Sequence, residues 1–333
     1  MQGRLENKIK TERSIQEKLV NAPEYMKRFY HSIIIKSHTT KLRYINNVER
    51  FLFHVYNKYP SEKELKNIDS YKIQVYMSEI LYYERDGEVH EINGNTQCNI
   101  YSALSSFFSF LFRSGYIDIS PFDNKMIERP KAKENEVVYL TPAEVRKFEA
   151  TIINGVGNQL SIAKQKDWKY RDLLLFRIPI INGLRVTALS EINIEDLDLD
   201  HNRIHVTEKG DITKWVDFDY KTAAYLAMWL VQREKLLGDS KCNALFISNR
   251  RTRITTKSIE RLICKYAIEC VPEKHITPHK LRNTCATNTY QVTGDIYKVS
   301  QVLGHKNTVP TKRYTHISKE EITNTINRVA SLY

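Results

Sequence analysis

Between Glu128 and Glu136 the chain reads ERPKAKENE, nine residues of which six are charged and none is a large apolar side chain. Such a stretch cannot enter a core, and proline among alternating charges is the composition of an extended linker. On both sides of it apolar residues recur at helical spacing, so each flank has to bury its own stripes. The pattern predicts two domains, residues 1–127 and 139–333, joined by a linker over 128–138. The length of 333 residues agrees, since one domain usually takes about 100–200.

In the first half, Pro23 divides two helices within TERSIQEKLVNAPEYMKRFYHSIIIK. Ser37, Thr39 or Thr40 can cap the next, whose stripe runs through Leu42, Ile45, Val48, Leu52 and Val55 and stops near Pro60. A further helix starts at Asp69 and runs through IDSYKIQVYMSEILYYE. RDGEVHEINGN is expected to be a loop, with Gly87 and Gly94 as helix breakers, before the apolar helix TQCNIYSALSSFFSFLFRSGYI. Residues 11–127 therefore form a compact helical bundle. Past the linker, Thr141, Pro142 and Glu144 make an N-cap, a first-turn proline and a capping box. DLLLFRIPIINGLRVTALSEI is a helix, a glycine turn at Gly183 and a second helix. Alternation in RIHVT and KWVDF around Lys-Gly-Asp predicts a hairpin, and the remainder is helical.

The net charge is +12 with a pI near 9.3. That favours a polyanionic partner, nucleic acid before membrane. No apolar run reaches the roughly 18–20 residues that span a bilayer, and the charged start MQGRLENKIKTERSIQEKL has no secretory apolar stretch. The five cysteines form no CxxC pair and are too few to staple a chain this long. They read as reduced thiols in the cytoplasm, where a DNA partner would make the protein nucleoid-associated.

EKHITPHKLRNTCATNTY, residues 273–290, admits three chemical readings. His275, His279 and Cys285 are metal-ligand types, yet a zinc site wants a tight pair and three or four ligands. Pro278 starts a helix just before His279, which leaves His275 outside it. Cys285 beside a histidine is a candidate thiol nucleophile, but it lies about two turns inside the helix, where cysteine is more often a small core residue. The third reading is anion binding. His279 and Arg282 share one face at a helix N-terminus, where the dipole favours a phosphate. Alone, HxxR means little. Arg185 after its glycine turn, Lys209 at the hairpin tip, His305, and Tyr314 nine residues later extend it to a set.

That set resembles the tyrosine recombinase (phage integrase) family. NGLRVTALSEINIEDLDL is similar to its first arginine box, VTEKGDITKWVDF to its lysine hairpin, TPHKLRNTCAT to its His-x-x-Arg box and LGHKNTVPTKRYTHI to the box of its second histidine and tyrosine. The separations also match: 94 residues from Arg185 to His279, 23 from Arg282 to His305 and nine to Tyr314. SHTTKLRYINNVERFLFHV and NTQCNIYSALSSFFSFLFRSGYI resemble its core-binding domain. The resemblance implies a mainly α protein: a helical core-binding (SAM-like) bundle, then an α-rich catalytic domain with one small antiparallel sheet. Its catalytic residues would be Arg185, Lys209, His279, Arg282, His305 and Tyr314, working without metal or other cofactor. The family's usual acidic residue three after the first arginine is Ala188 here. Glu191, six on, faces elsewhere, so what orients the arginines is open.

The resemblance further implies double-stranded DNA with inverted-repeat core sites as partner, with a dimer on each site and a tetramer in the synapse. The final amphipathic helix, within 318–333, would exchange between neighbours or pack on its own domain. Lys241 to Lys265 holds seven basic residues against Glu260. Arg250, Arg251 and Lys280 are expected at phosphates, and Lys41, Arg43, Asn47 and Asn99 at the grooves. A short N-terminal segment favours a simple recombinase serving mobile-element integration or excision. A Xer-like resolvase, a type IB topoisomerase and a non-catalytic DNA-binding relative are the alternatives.

Overall fold

The computed structural model describes residues 2–85, 87–123, 126–131, 136–208, 212–304 and Thr311. It divides into two compact units, Met1–Asn135 and Glu136–Tyr333. In the first, α1 (Gln2–Leu19) stops before Pro23, and α2 (Glu24–Ser32) begins just after it. The Ser37 hydroxyl accepts the Thr40 N–H to start α3 (His38–Tyr56), which ends at Asn57 in a left-handed conformation. Ser61 and Glu64 cap the single-turn α4 (Glu62–Leu65), too short to show a period, and Asp69 caps α5 (Ser70–Glu79).

Three expectations are corrected by the structure. The helix expected through Glu84 ends at Glu79, and the expected loop is an antiparallel hairpin of β1 (Tyr82–Arg85) and β2 (Glu88–Glu91). Gly87, at φ +80°, makes the reversal, and Tyr83 stacks on His90 directly across the strands, with ring centroids 5.4 Å apart. Cross-strand aromatic pairs of this kind stabilise short ladders. Gly94 does not break a helix but opens α6 (Gly94–Arg113), whose first turn is capped by the Asn93 side chain. The core of the unit is aromatic. Phe29 meets Phe107 edge-on at 5.1 Å, and Phe51 meets Phe108 at 5.8 Å.

The second unit contains α7 (Pro142–Asn154), α8 (Gln159–Lys166), α9 (Lys169–Asn182) and α10 (Val186–Glu191), followed by a 3-10 turn at Ile194–Asp196. An antiparallel sheet of β3 (Leu197–Asp198), β4 (Arg203–Glu208) and β5 (Ile212–Asp217) comes next. Helices α11 (Tyr220–Leu237), α12 (Thr256–Cys270), α13 (Pro278–Thr293) and α14 (Ile296–Leu303) complete it. The architecture is mainly α with small antiparallel sheets. Helix α9 is the centre: Arg171 to Phe176, Ile178 and Pro179 are all buried, and α7, α11 and α13 pack around it. Phe148 of α7 stacks face to face on Phe176 at 4.0 Å.

Buried polar groups in this unit act as staples. Arg171 pairs with Asp172 and donates to the Ile247 carbonyl, while the Tyr266 hydroxyl donates to Asp172 at 2.8 Å. Arg233 and Trp229 donate to carbonyls of residues 242, 244 and 245. These bonds hold an otherwise irregular stretch against α11. Among the described residues no helix is long and apolar enough to cross a membrane.

Asp219 caps α11 and accepts from Arg177 at 2.8 Å. Burial raises its carboxyl pKa, but hydrogen bonds from Thr222 and Arg177 outweigh burial and hold it at about 2. The folded value lies below the unfolded one, about 3.9, so its contribution is complete above roughly pH 4 and lost as pH falls through about 2. In urea titrations, wild type should therefore exceed Asp219→Asn in stability at pH 6, with the gap closing between about pH 4 and pH 2. A gap independent of pH would assign the effect to shape rather than charge.

Candidate active site

The site is assembled where three chain reversals meet. Helix α9 ends at Gly183 with φ +62°, so that Arg185 becomes the residue capping α10. Pro278 begins α13, placing His279 exposed in the first turn and Arg282 one turn on, only 4% exposed. Helix α14 ends at Leu303, with Gly304 at φ +62°.

Arg282 ties these ends together. Its guanidinium donates to the Gly183 carbonyl and, at 2.6 Å, to the Leu303 carbonyl. Both acceptors sit at helix C-termini, where the macrodipole is negative and favours a cation. Close packing forms the rest of the joint. A Cβ on Gly183 would lie 2.6 Å from Leu303 Cδ2 and 3.3 Å from Cys285 Sγ, so that only glycine fits the turn.

The sheet supplies the opposing charge. Ile204, Val206 and Glu208 alternate inward along β4, and the register sets Lys214 of β5 opposite Val206, on the same face. Glu208 is 4% exposed and pairs with Arg185, with Lys214 Nζ at 3.4 Å, and with Arg282 Nη1 at 3.8 Å. Lys214 also donates to the Val302 carbonyl at 3.3 Å. Burial, then the neighbouring Arg282 and Arg185, push its ammonium below the ordinary lysine range. A Cβ at Gly304 would stand 3.3 Å from Lys214 Nζ, so the cluster lies directly beneath the chain leaving α14.

The structure thus brings together Arg185 and Arg282, 97 residues apart along the chain, with His279 on the same turn of α13. Lys209, His305 and Tyr314 lie outside the described residues, as does the segment 318–333. Sequence reasoning missed Glu208 and Lys214. The signal that could have found them is the strand alternation itself, which turns both charged side chains toward the interior. The structure also places the other candidates of residues 273–290. Burial pushes the Cys285 thiol up to about 11, and its Sγ donates to the Ile181 carbonyl at 3.3 Å, so it is a neutral core thiol. His275 is exposed ahead of α13, and among the described residues no three His, Cys, Asp or Glu cluster as metal ligands.

The expected DNA contacts divide. Lys41 is corrected: its side chain is 3% exposed, ion-paired with Glu12 at 3.0 Å and lying over the Tyr30 ring, so it is withdrawn from the surface. Arg43 is exposed, and Asn47, Asn99 and Lys280 are half-buried. Arg250 and Arg251 stand exposed at the tip of the Ser248–Thr252 turn, Arg251 in a left-handed conformation. Arg253, from the same basic run, is instead bonded to the Ser190 and Ile192 carbonyls and to Asn193.

Residues 139–321 match the model of the phage integrase family. The chain belongs to this family. Among curated relatives, tyrosine recombinase XerC of Alcanivorax borkumensis is 28% identical over 230 residues, 69% of this chain and 71% of its own. The fold is shared with the Tn1549 transposon integrase solved with a circular intermediate DNA (TM-score 0.67, 16% identity, covering 92% of this chain and 98% of that one). It is shared as well with a lambda integrase dimer bound to a core site (TM-score 0.64, 15% identity, 87% and 93%). As a member of this family, the chain is a tyrosine-type site-specific DNA recombinase.

Gly183→Ala should destabilise the second unit by about 1–3 kcal/mol, the usual cost of overpacking, because the added methyl strikes Leu303 and the φ is left-handed. A urea midpoint equal to that of wild type would show that the joint can give way.

Proposed function

We propose that this recombinase breaks each DNA strand by attack of the Tyr314 oxygen on phosphorus, storing the bond as a 3′-phosphotyrosine and freeing a 5′-hydroxyl. The 5′-hydroxyl of a partner strand then attacks that phosphotyrosine and releases the tyrosine. Each step exchanges one phosphoester for another, so the cycle needs no nucleotide energy source. Arginine forks can neutralise the pentacoordinate phosphorus, so the chemistry needs no metal.

The observation that carries this reading is the convergence of Arg185 and Arg282 beside Lys214, with His279 exposed on the turn that holds Arg282. The two guanidiniums would hold the non-bridging oxygens bidentately. His279 would take and return the tyrosine proton, a role that histidine as a side-chain type serves. By motif position, Lys209 would protonate the leaving 5′-oxygen, His305 would hydrogen-bond the phosphate and Tyr314 would attack. The substrate would be double-stranded DNA carrying inverted-repeat core sites, with two copies of the chain on each site and four in the synapse. Exchange of the 318–333 helix between neighbours would close that ring. Integration and excision of a mobile element is the role proposed, supported by the fold shared with a transposon integrase and a phage integrase. The similarity to XerC keeps chromosome-dimer resolution as the second reading. Paired sites taken from the DNA flanking the coding region decide between them: excision of a circle supports the first, and inert flanks support the second.

A nicked suicide substrate should trap a covalent protein–DNA adduct that disappears in Tyr314→Phe. An adduct undiminished in that variant would assign the nucleophile to another of the 20 tyrosines. Replacing Arg250 and Arg251 together by alanine should weaken DNA binding across sequences and lower the slope of log affinity against log salt by about 2, roughly 0.9 for each phosphate no longer neutralised. An unchanged slope would remove this turn from the DNA interface.

A further inference from the structure

We infer that Glu208 is the positioning residue that replaces the acidic side chain absent at Ala188, holding Arg185 and Arg282 in the geometry that grips the scissile phosphate. This deepens the function proposed above and rests on its assignment of the two arginines to the phosphate.

Position 188 cannot do the work. Ala188 is buried on α10, three residues after Arg185, and carries no charge. Glu191 closes the far end of the same helix. The carboxylate that does reach Arg185 comes from the sheet, from the last inward position of β4. From there Glu208 meets Arg185 through Oε2, while Oε1 faces Lys214 at 3.4 Å and Arg282 at 3.8 Å. One carboxylate therefore faces cations from the start of α10, from β5 and from α13 at once.

Its depth separates this role from that of an exposed ion pair. Glu208 is 4% exposed, whereas the Arg185 side chain is 33% exposed. The carboxylate therefore lies deeper in the fold than the guanidinium it pairs with. Arg185, Lys214 and Arg282 all face this one carboxylate, which reduces their mutual repulsion. The placement also fixes direction. A carboxylate on one edge of a guanidinium aligns its plane and so fixes the direction of its N–H groups.

The test compares wild type, Glu208→Gln, and the double variant Glu208→Gln with Ala188→Glu, which moves the carboxylate to α10. Covalent adduct formation on the nicked substrate and DNA affinity are both measured. Adduct formation by wild type reports on the phosphotyrosine chemistry itself, so each variant is scored relative to it. Glu208→Gln should bind DNA as wild type does but form adduct about 10–100-fold more slowly, a loss of the size seen when the hydrogen-bonded partners that orient metal ligands are removed. The double variant should recover most of that rate. A merely structural role would not predict rescue from a different helix. Glu208→Gln reacting at the wild-type rate, or a double variant that melts like wild type yet stays as slow as the single one, overturns the assignment. If Glu208→Gln does not fold, Glu208→Asp serves in its place. It keeps the charge but withdraws it by one methylene, and Ala188→Glu should accelerate it; no acceleration overturns the assignment equally.

Discussion

Like charges repel, and this fold holds Arg185, Arg282 and Lys214 together around a single carboxylate. At an effective dielectric near 20, two unit charges about 4 Å apart interact by about 4 kcal/mol, comparable to much of a domain's net stability. The fold answers with one buried carboxylate, Glu208, and with the carbonyl ends of two helices. Much of the second unit can be understood as what is needed to bring those groups to one place. The register of β4 on β5 turns Glu208 and Lys214 inward together. The glycine after α9 lets the chain reverse into Arg185, and the proline opening α13 sets the turn from which Arg282 reaches both carbonyls.

Most of the helical framework was legible in the residues. Thr141 with Glu144, Ser37, Asp69 and the proline-opened α13 carry local signals whose causes are local. Local hydrogen bonds and apolar periods therefore place helices well. They fail where an element is too short to show a period, as in α4, or where aromatic pairing across a turn outcompetes a helical stripe, as at Tyr83 and His90. Lys41 was legible and still misassigned. It stands four, seven and eleven residues before Ile45, Val48 and Leu52, all buried, so its place on the apolar stripe already implied a buried ammonium that required Glu12.

The site was legible in a different way. The arginines and His279 were nominated by motif and order, and helix boundaries alone explain why His279 and Arg282 share a turn. Glu208 was not found, because Thr-Glu-Lys-Gly-Asp has the composition of an exposed turn. What makes the glutamate interior is alternation continuing from Ile204 and Val206, and what makes it tolerable is three cations, Lys214 across the hairpin and two arginines from elements remote in sequence. Such a partner set is a tertiary fact. No window of the chain contains it.

The bonds from Arg282 to the ends of α9 and α14 complicate how this residue is interrogated. A side chain that is proposed to grip the phosphate and that also fastens two helix termini has no clean deletion: truncating it would remove that charge and, in the same stroke, loosen the ends of α9 and α14. Lysine does not separate the two either, since a single ammonium on a flexible stem cannot reproduce a planar fork. Kinetic losses at this position are therefore composite quantities, and chemistry is isolated more cleanly by altering what surrounds the guanidinium than by altering the guanidinium itself.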